Sequence, residues 1–154
     1  MLKGSLRDLV FGTHWDRPLC ITFTEKQVAD GQRLDDIRSS LNVRHFMNVL
    51  NGKVYGNAYK RFGRRIRSLF VREVSGSGRH HLHGVLDIPA DRNSEVFKSH
   101  VTASWRSTRF GYDEVDLREP STGQSVEGYL HYMMKGRTKP FGLCDAVDWE
   151  NCSF

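Results

Sequence analysis

Two strand-like segments joined by a short glycine-serine turn constrain the fold of this chain most strongly. Residues 66–74 and 81–88 are rich in β-branched and large apolar side chains, and Pro89 ends the second segment. The four residues from Ser75 to Gly78 are typical of a tight turn. A turn centred on Ser77 places Glu73 directly opposite His81. The sequence therefore predicts a β-hairpin of defined register.

The other elements are read from periodicity and from turn residues. Strands are predicted at 19–24 and 112–117, and helices at 33–50, at 93–105 and from Ser121 or Ser125 through Lys135. The apolar positions that define the first helix are Leu34, Ile37, Leu41, Phe46, Val49 and Leu50. The order β-α-β-β-α-β-α indicates the α+β class, with a mostly antiparallel sheet packed by helices.

Composition limits the protein class. The chain has 154 residues, 38% of them hydrophobic, and no repeat or linker divides it, so we expect a single domain over 1–154 and exclude disorder. Neither a membrane-length apolar stretch nor a secretory leader is visible. Three cysteines, an odd number, fit a reducing compartment. We expect an intracellular protein without a membrane partner.

Positive charge is concentrated in one segment. Residues 53–67 hold six Lys or Arg residues and no acid, whereas the other residues together carry a net charge of −1. Tyr55, Tyr59 and Phe62 are interleaved with these cations. Cations neutralise phosphates and aromatic rings stack on unpaired bases, so the segment predicts nucleic-acid binding. The candidate contacts are Lys60, Arg61, Arg64, Arg65 and Arg67. The acidic run with Asp145, Asp148 and Glu150 is interpreted as a solvated tail.

The hairpin carries a candidate metal site. His81 and His83 point to one face of their strand, and the predicted register adds Glu73 to that face. Two imidazole nitrogens and a carboxylate oxygen suit Mn²⁺, Mg²⁺ or Zn²⁺. The even-numbered positions of the hairpin, such as Phe70, Leu82 and Leu86, supply the core face, which leaves the odd-numbered face for chemistry.

The last helix carries a candidate nucleophile. Tyr132 and Lys135 are three residues apart and share a helical face, whereas Tyr129 does not. A phenol attacks a phosphate effectively when a metal ion polarises that phosphate, and Lys135 then stabilises the phosphate or the phenolate.

Together these motifs resemble the HUH endonuclease superfamily, in particular the single-tyrosine nicking domains of rolling-circle replication initiator (Rep) proteins of plasmids and small single-stranded DNA viruses. The residues from Ile21 to Thr24 look like its first motif, 81–84 match its His-hydrophobe-His motif, and 132–135 match its Tyr-x-x-Lys motif. The resemblance covers roughly residues 18–136. No phosphate-binding loop of a helicase domain is present in the chain.

The resemblance implies a fold, a site and an activity. The fold is a central, mostly antiparallel sheet of about five strands flanked by helices. The metal ligands are His81, His83 and Glu73, the cofactor is Mn²⁺ or Mg²⁺, and the nucleophile is Tyr132, with Tyr129 as the alternative. The activity is nicking of single-stranded origin DNA, often at a hairpin, through a 5′-phosphotyrosine link that frees a 3′-hydroxyl and is reversible by strand joining. The implied partners are a host or separately encoded helicase and DNA polymerase, in the bacterial cytoplasm or, for a virus, the host nucleus.

Three alternatives stay open. A related single-tyrosine transposase or relaxase would share the chemistry. A non-catalytic DNA-binding repressor would use the histidines for a structural metal, and a metal-dependent nuclease would use water in place of tyrosine.

Overall fold

The computed structural model describes residues 8–120, 126–133 and 146–154. The strands are β1 (Pro18–Glu25), β2 (Val28–Ala29), β3 (Gln32–Arg33), β4 (Ser68–Val74), β5 (His80–Asp87) and β6 (Gly111–Arg118). The helices are α1 (Asp36–Tyr55), α2 (Asn57–Phe62), α3 (Ser94–Arg106) and α4 (Val126–Met133). The predicted α+β class is confirmed, and the predicted elements occur along the chain in the predicted sequence, with a further helix at residues 8–12. The small β2–β3 hairpin and α2 were not predicted.

The main sheet has the strand order β4-β5-β1-β6, and all its neighbours are antiparallel. In the hairpin Glu73 pairs with His81, which confirms the predicted register. Within the described ranges this sheet has four strands. Isolated bridges from Ser153 to Ser68 and from Val147 to Val71 lay the C-terminal segment along the outer edge of β4. The five-strand arrangement that the resemblance implies stays a prediction.

The turn of the hairpin explains why the register holds. The amide of Ser75 donates to the carbonyl of Arg79 at 2.9 Å, and the amide of Gly78 donates to the carbonyl of Ser75 at 2.8 Å. Gly78 has φ of 83°, a conformation that side-chain-bearing residues rarely adopt. This glycine therefore allows the short loop that aligns β4 with β5.

Helices α1 and α3 cover one face of the sheet. Phe23 of β1 stacks on Trp105 of α3 with ring centroids 4.5 Å apart, and Phe46 of α1 meets both rings edge-on. The buried face of α1 differs from the predicted one, because Ile37 and Leu41 are exposed. Its inner positions are Ser39, Asn42, Val43, Phe46, Met47, Leu50, Asn51 and Val54.

Two asparagines explain this shift of the helix face. Asn42 donates to Thr108 and accepts from the amide of Phe110, whereas Asn51 accepts from the amide of Ile66. These buried amides are stabilised by hydrogen bonds rather than by burial of apolar area, and such bonds cannot be read from apolar periodicity.

The second face of the sheet is covered as well, contrary to the expectation of a face left free. Leu69, Val71 and Val85 pack there with Leu130 and Met133 of α4, and with residues from both termini. The end of this face that carries the histidines is polar, and Asp87 lies on the same face at the other end of β5. In the described ranges no helix has the length and apolar character that a membrane span requires.

The interpretation of the acidic run as a solvated tail is wrong for Asp148, whereas Glu150 is exposed and Asp145 lies outside the described residues. Asp148 is 2% exposed and accepts hydrogen bonds from Ser40 at 3.1 Å and from Asn151 at 2.8 Å. Arg72 lies 3.8 Å from the same carboxylate. Asp148 therefore fastens the C-terminal segment to α1 and β4, and the interpretation as a tail was wrong because its partners are distant in sequence.

Candidate functional site

Three predicted residues meet at the polar end of the second sheet face. Nε2 of His83 lies 2.9 Å from Oε2 of Glu73, across the β4–β5 pair. The ring of Tyr132 on α4 stands perpendicular to the His83 ring, with the centroids 5.9 Å apart. The side chain of His83 is 7% exposed and that of Glu73 is 21% exposed. A carboxylate, an imidazole and a phenol thus form one cluster that opens to solvent.

The contact between Glu73 and His83 fits a divalent cation. Neighbouring ligands of an octahedral ion with bonds of about 2.1 Å are about 3.0 Å apart, close to the separation of these two atoms. An imidazole nitrogen and a carboxylate oxygen are also suitable donors for Mn²⁺ or Mg²⁺. Glu73 and His83 are therefore the residues that would hold the ion.

His81 is placed on the same face, directly opposite Glu73, and is partly buried. No group of three or more His, Cys, Asp or Glu side chains close enough to bind an ion occurs in residues 8–120, 126–133 and 146–154. The structure thus brings together two members of the predicted ligand set, and coordination of a metal ion by Glu73, His81 and His83 stays a prediction.

Strand β6 adds carboxylates that sequence reasoning missed. Asp116 pairs with Thr22 and shares its face of the sheet, and Glu114 accepts a hydrogen bond from Thr24 at 3.0 Å. Arg79 lies 3.4 Å from Glu114, and Arg118 lies 2.9 Å from Asp116. Each of these two carboxylates therefore has an arginine as its ion-pair partner.

The two tyrosines of α4 have different environments. Tyr132 is 54% exposed, while Tyr129 lies between α4 and β1 and donates its hydroxyl hydrogen to the carbonyl of Ile21. Burial raises the pKa of the Tyr129 phenol above its ordinary value. A nucleophile needs an accessible oxygen, so this geometry favours Tyr132 over Tyr129. Lys135, the other predicted catalytic residue, lies outside the described residues.

The basic segment has most of its cations on the surface. Lys60 and Arg61 on α2 are exposed, as are Arg64 and Arg65 in the loop that follows. Arg67 is partly buried, 3.5 Å from Asp87 and over the ring of Trp15. Four of the five predicted DNA contacts therefore present charge to solvent, and the fifth has a carboxylate beside it.

The aromatic residues of this segment are arranged differently from the predicted stacking platforms. The guanidinium groups of Arg64 and Arg65 lie over the rings of Tyr55 and Tyr59, at 4.9 and 5.6 Å from the centroids. Phe62 alone among the three is strongly exposed, at 79%. The tyrosines therefore hold arginines in place, and Phe62 is the ring available to a base.

The basic segment is distant from the cluster around His83. The amide of Asp87 donates to the carbonyl of Arg67, and Asp87 is four residues along β5 from His83. At about 3.3 Å per strand residue, this separation is about 13 Å along the strand. DNA held by the segment therefore has to extend along the sheet to reach Tyr132.

Thr22 is a further residue that the sequence interpretation did not select. Its hydroxyl lies 3.2 Å from Nδ1 of His83 and 3.4 Å from the hydroxyl of Tyr129. The alternation of 21–24 contained the signal, because it places Thr22 and Thr24 on the face opposite Ile21 and Phe23. Its contact with His83 depends on the pairing of β1 with β5, which cannot be read from the sequence.

Comparison of the chain with family models, with curated proteins and with solved structures finds no match.

Proposed function

We propose that this protein is a DNA-nicking and strand-transfer enzyme of the rolling-circle initiator type. The observation that carries the proposal is that His83 contacts both the ring of Tyr132 and the carboxylate of Glu73, three residues that come from three different elements. Their residue types are those that a tyrosine-dependent phosphoryl transfer requires.

The chemistry begins with the phenol of Tyr132. Its oxygen attacks the scissile phosphorus and loses its proton, and a bond forms between the phenol oxygen and phosphorus. The bond from phosphorus to the 3′ oxygen breaks, and that oxygen takes up a proton as the 3′-hydroxyl. A divalent ion held by Glu73 and His83 would supply polarisation of the phosphate. Because the phosphodiester energy is kept in the phosphotyrosine link, attack by an incoming 3′-hydroxyl reverses the step without ATP.

The substrate in this proposal is single-stranded DNA. Its phosphates contact the exposed cations of the basic segment, while the cut takes place at the other end of the sheet. Recognition of an origin and recruitment of a helicase and a polymerase belong to the proposal on the strength of the resemblance alone. A related transposase or relaxase would make the same covalent product.

The decisive experiment incubates the protein with Mn²⁺ and a pool of single-stranded DNA labelled at the 3′ end. A labelled protein band of reduced mobility on a denaturing gel supports the phosphotyrosine mechanism. Cleavage without a labelled protein band indicates a nuclease that uses water. Mobility shifts under native conditions with no cleavage, for a pool that includes the cognate origin, indicate a DNA-binding repressor.

A further inference from the structure

Thr22 connects His83 to a second buried hydroxyl. On β1 it pairs directly with His83 of β5, and its Oγ1 lies 3.2 Å from Nδ1 of the imidazole. The same oxygen is 3.4 Å from the hydroxyl of Tyr129, which in turn donates to the carbonyl of Ile21. The side of His83 that faces away from Glu73 is thus joined to a chain of polar groups.

The chain has a defined direction at its far end. A carbonyl oxygen only accepts, so the single hydroxyl hydrogen of Tyr129 is committed to Ile21, and Tyr129 can only accept from Thr22. The single hydrogen of Thr22 then points either to Nδ1 of His83 or to Tyr129. When Nδ1 carries a hydrogen, Thr22 accepts it and donates to Tyr129, and every member of the chain is satisfied.

We propose that Thr22 is a positioning residue that directs the Nε2 lone pair of His83 toward a divalent cation. This inference rests on the metal site of the proposed function. A neutral imidazole that binds a cation through Nε2 carries its hydrogen on Nδ1, and Thr22 accepts that hydrogen. Without a cation, Nε2 donates to Glu73, and the Thr22 hydroxyl rotates to donate to Nδ1. The Thr22 hydroxyl can therefore hydrogen-bond to Nδ1 of His83 both with and without a bound cation.

The burial of His83 makes this hydroxyl hard to replace. His83 is 6% exposed, so water has little access to Nδ1 if Thr22 loses its oxygen. Loss of the Thr22 oxygen removes the acceptor that Thr22 offers to an Nδ1 hydrogen, which disfavours the tautomer that binds the cation. Removal of such an outer partner typically lowers metal affinity by about 10- to 100-fold.

The test measures binding of Mn²⁺ alone, from the electron paramagnetic resonance signal of the free ion. Thr22→Val removes the hydroxyl at almost constant volume, and we expect its Mn²⁺ dissociation constant to rise by about 10- to 100-fold. Thr22→Ser keeps the hydroxyl and should bind within a few-fold of wild type. The control is Thr102→Val, the same change on helix α3, which packs on the opposite face of the sheet.

A second readout does not depend on activity. In protein loaded with Zn²⁺, ¹⁵N NMR of wild type should show a slowly exchanging hydrogen on Nδ1 of His83, and Thr22→Val should lose it. If Thr22→Val does not fold, Tyr129→Phe takes its place, because it removes the acceptor of the Thr22 hydrogen. Unchanged Mn²⁺ affinity in the folded Thr22 or Tyr129 variant overturns the positioning role alone. Wild-type protein that binds no Mn²⁺ at millimolar concentration overturns the metal site as well.

Discussion

The ring of Tyr132 stands edge-on to the ring of His83, with 5.9 Å between the centroids, although the two residues lie on different elements and 49 positions apart in the chain. Nearby, the hydroxyl of Tyr129 donates a hydrogen bond to the backbone carbonyl of Ile21 on β1. The difference between these two tyrosines, which occupy one helix, yields the first prediction.

At saturating Mn²⁺, Tyr132→Phe should abolish the covalent protein–DNA adduct, whereas Tyr129→Phe should retain it. Phenylalanine keeps the ring and removes only the attacking oxygen, and the oxygen of Tyr129 is already committed to the carbonyl of Ile21. Denaturing gels of both variants with labelled DNA decide the point. An adduct that survives in Tyr132→Phe and disappears in Tyr129→Phe would reverse the assignment.

His83→Ala should lose cleavage that depends on a divalent ion, with a reduction in rate of at least about 100-fold, because an oriented Lewis acid contributes several kcal/mol. The measurement is the initial cleavage rate as a function of Mn²⁺ concentration. His100→Ala is the matched control, since this histidine lies on α3, away from the cluster. Full activity of His83→Ala in the presence of a chelator would contradict the metal role.

Replacing both Arg64 and Arg65 with alanine should weaken binding of single-stranded DNA and flatten its dependence on salt. If each contacts one phosphate, the slope of log K against log salt concentration falls by about 1.4. Filter binding at four or more salt concentrations gives this slope. The control replaces Arg106 and Arg109, two arginines outside the basic segment that lie beside acids. Equal slopes in wild type and in the Arg64 and Arg65 variant would remove the segment from the interface.

Glu25 should make the protein less stable as pH rises. Burial raises the pKa of its carboxyl from 4.5 to about 7, and its Oε2 has no hydrogen-bond partner in the described residues. The folded state therefore holds more protons than the unfolded state between these pKa values, so the free energy of unfolding falls across pH 4.5 to 7. Across this pH range the Glu25 carboxyl lowers the free energy of unfolding by up to about 3 kcal/mol.

Denaturant unfolding of wild type and Glu25→Gln at pH 5 and pH 8 measures this contribution. The amide cannot ionise, so the variant should lose less stability between the two pH values than wild type does. Glu95→Gln, at an exposed position on α3, should behave as wild type. Identical pH dependence in wild type and Glu25→Gln would show that the buried carboxyl does not titrate in this range.

Gly84→Ala should destabilise the sheet just beyond the histidine pair. A Cβ at this position would lie 2.5 Å from the carbonyl oxygen of Leu69 and 3.1 Å from side chains of Ile21 and Phe70. Overpacking of this kind lowers the free energy of unfolding by about 1–3 kcal/mol or more. Gly76→Ala in the hairpin turn meets nothing within 4 Å and is the control. Thermal melting compares the two variants. Equal melting temperatures would show that the sheet accommodates the added methyl group at position 84 without loss of stability.

The sequence by itself determined the hairpin and its register. Strand residues alternate between the two faces, and the length of a short turn allows few pairings, so Glu73 had to lie opposite His81 once the turn was centred on Ser77. Alternation also determined that His81 and His83 share a face. The classes of the other elements followed from local periodicity and from residues that begin or end them, such as Asn93, whose side chain caps α3.

Only the tertiary structure decided which groups meet. The different exposure of Tyr129 and Tyr132 depends on how α4 lies on the sheet, and the contact of Thr22 with His83 depends on the pairing of β1 with β5. The separation between the basic segment and His83, and the burial of Asp148, likewise depend on residues distant in sequence. Local patterns specify the period of each element, whereas contacts between elements depend on packing of the whole chain, which no short segment encodes.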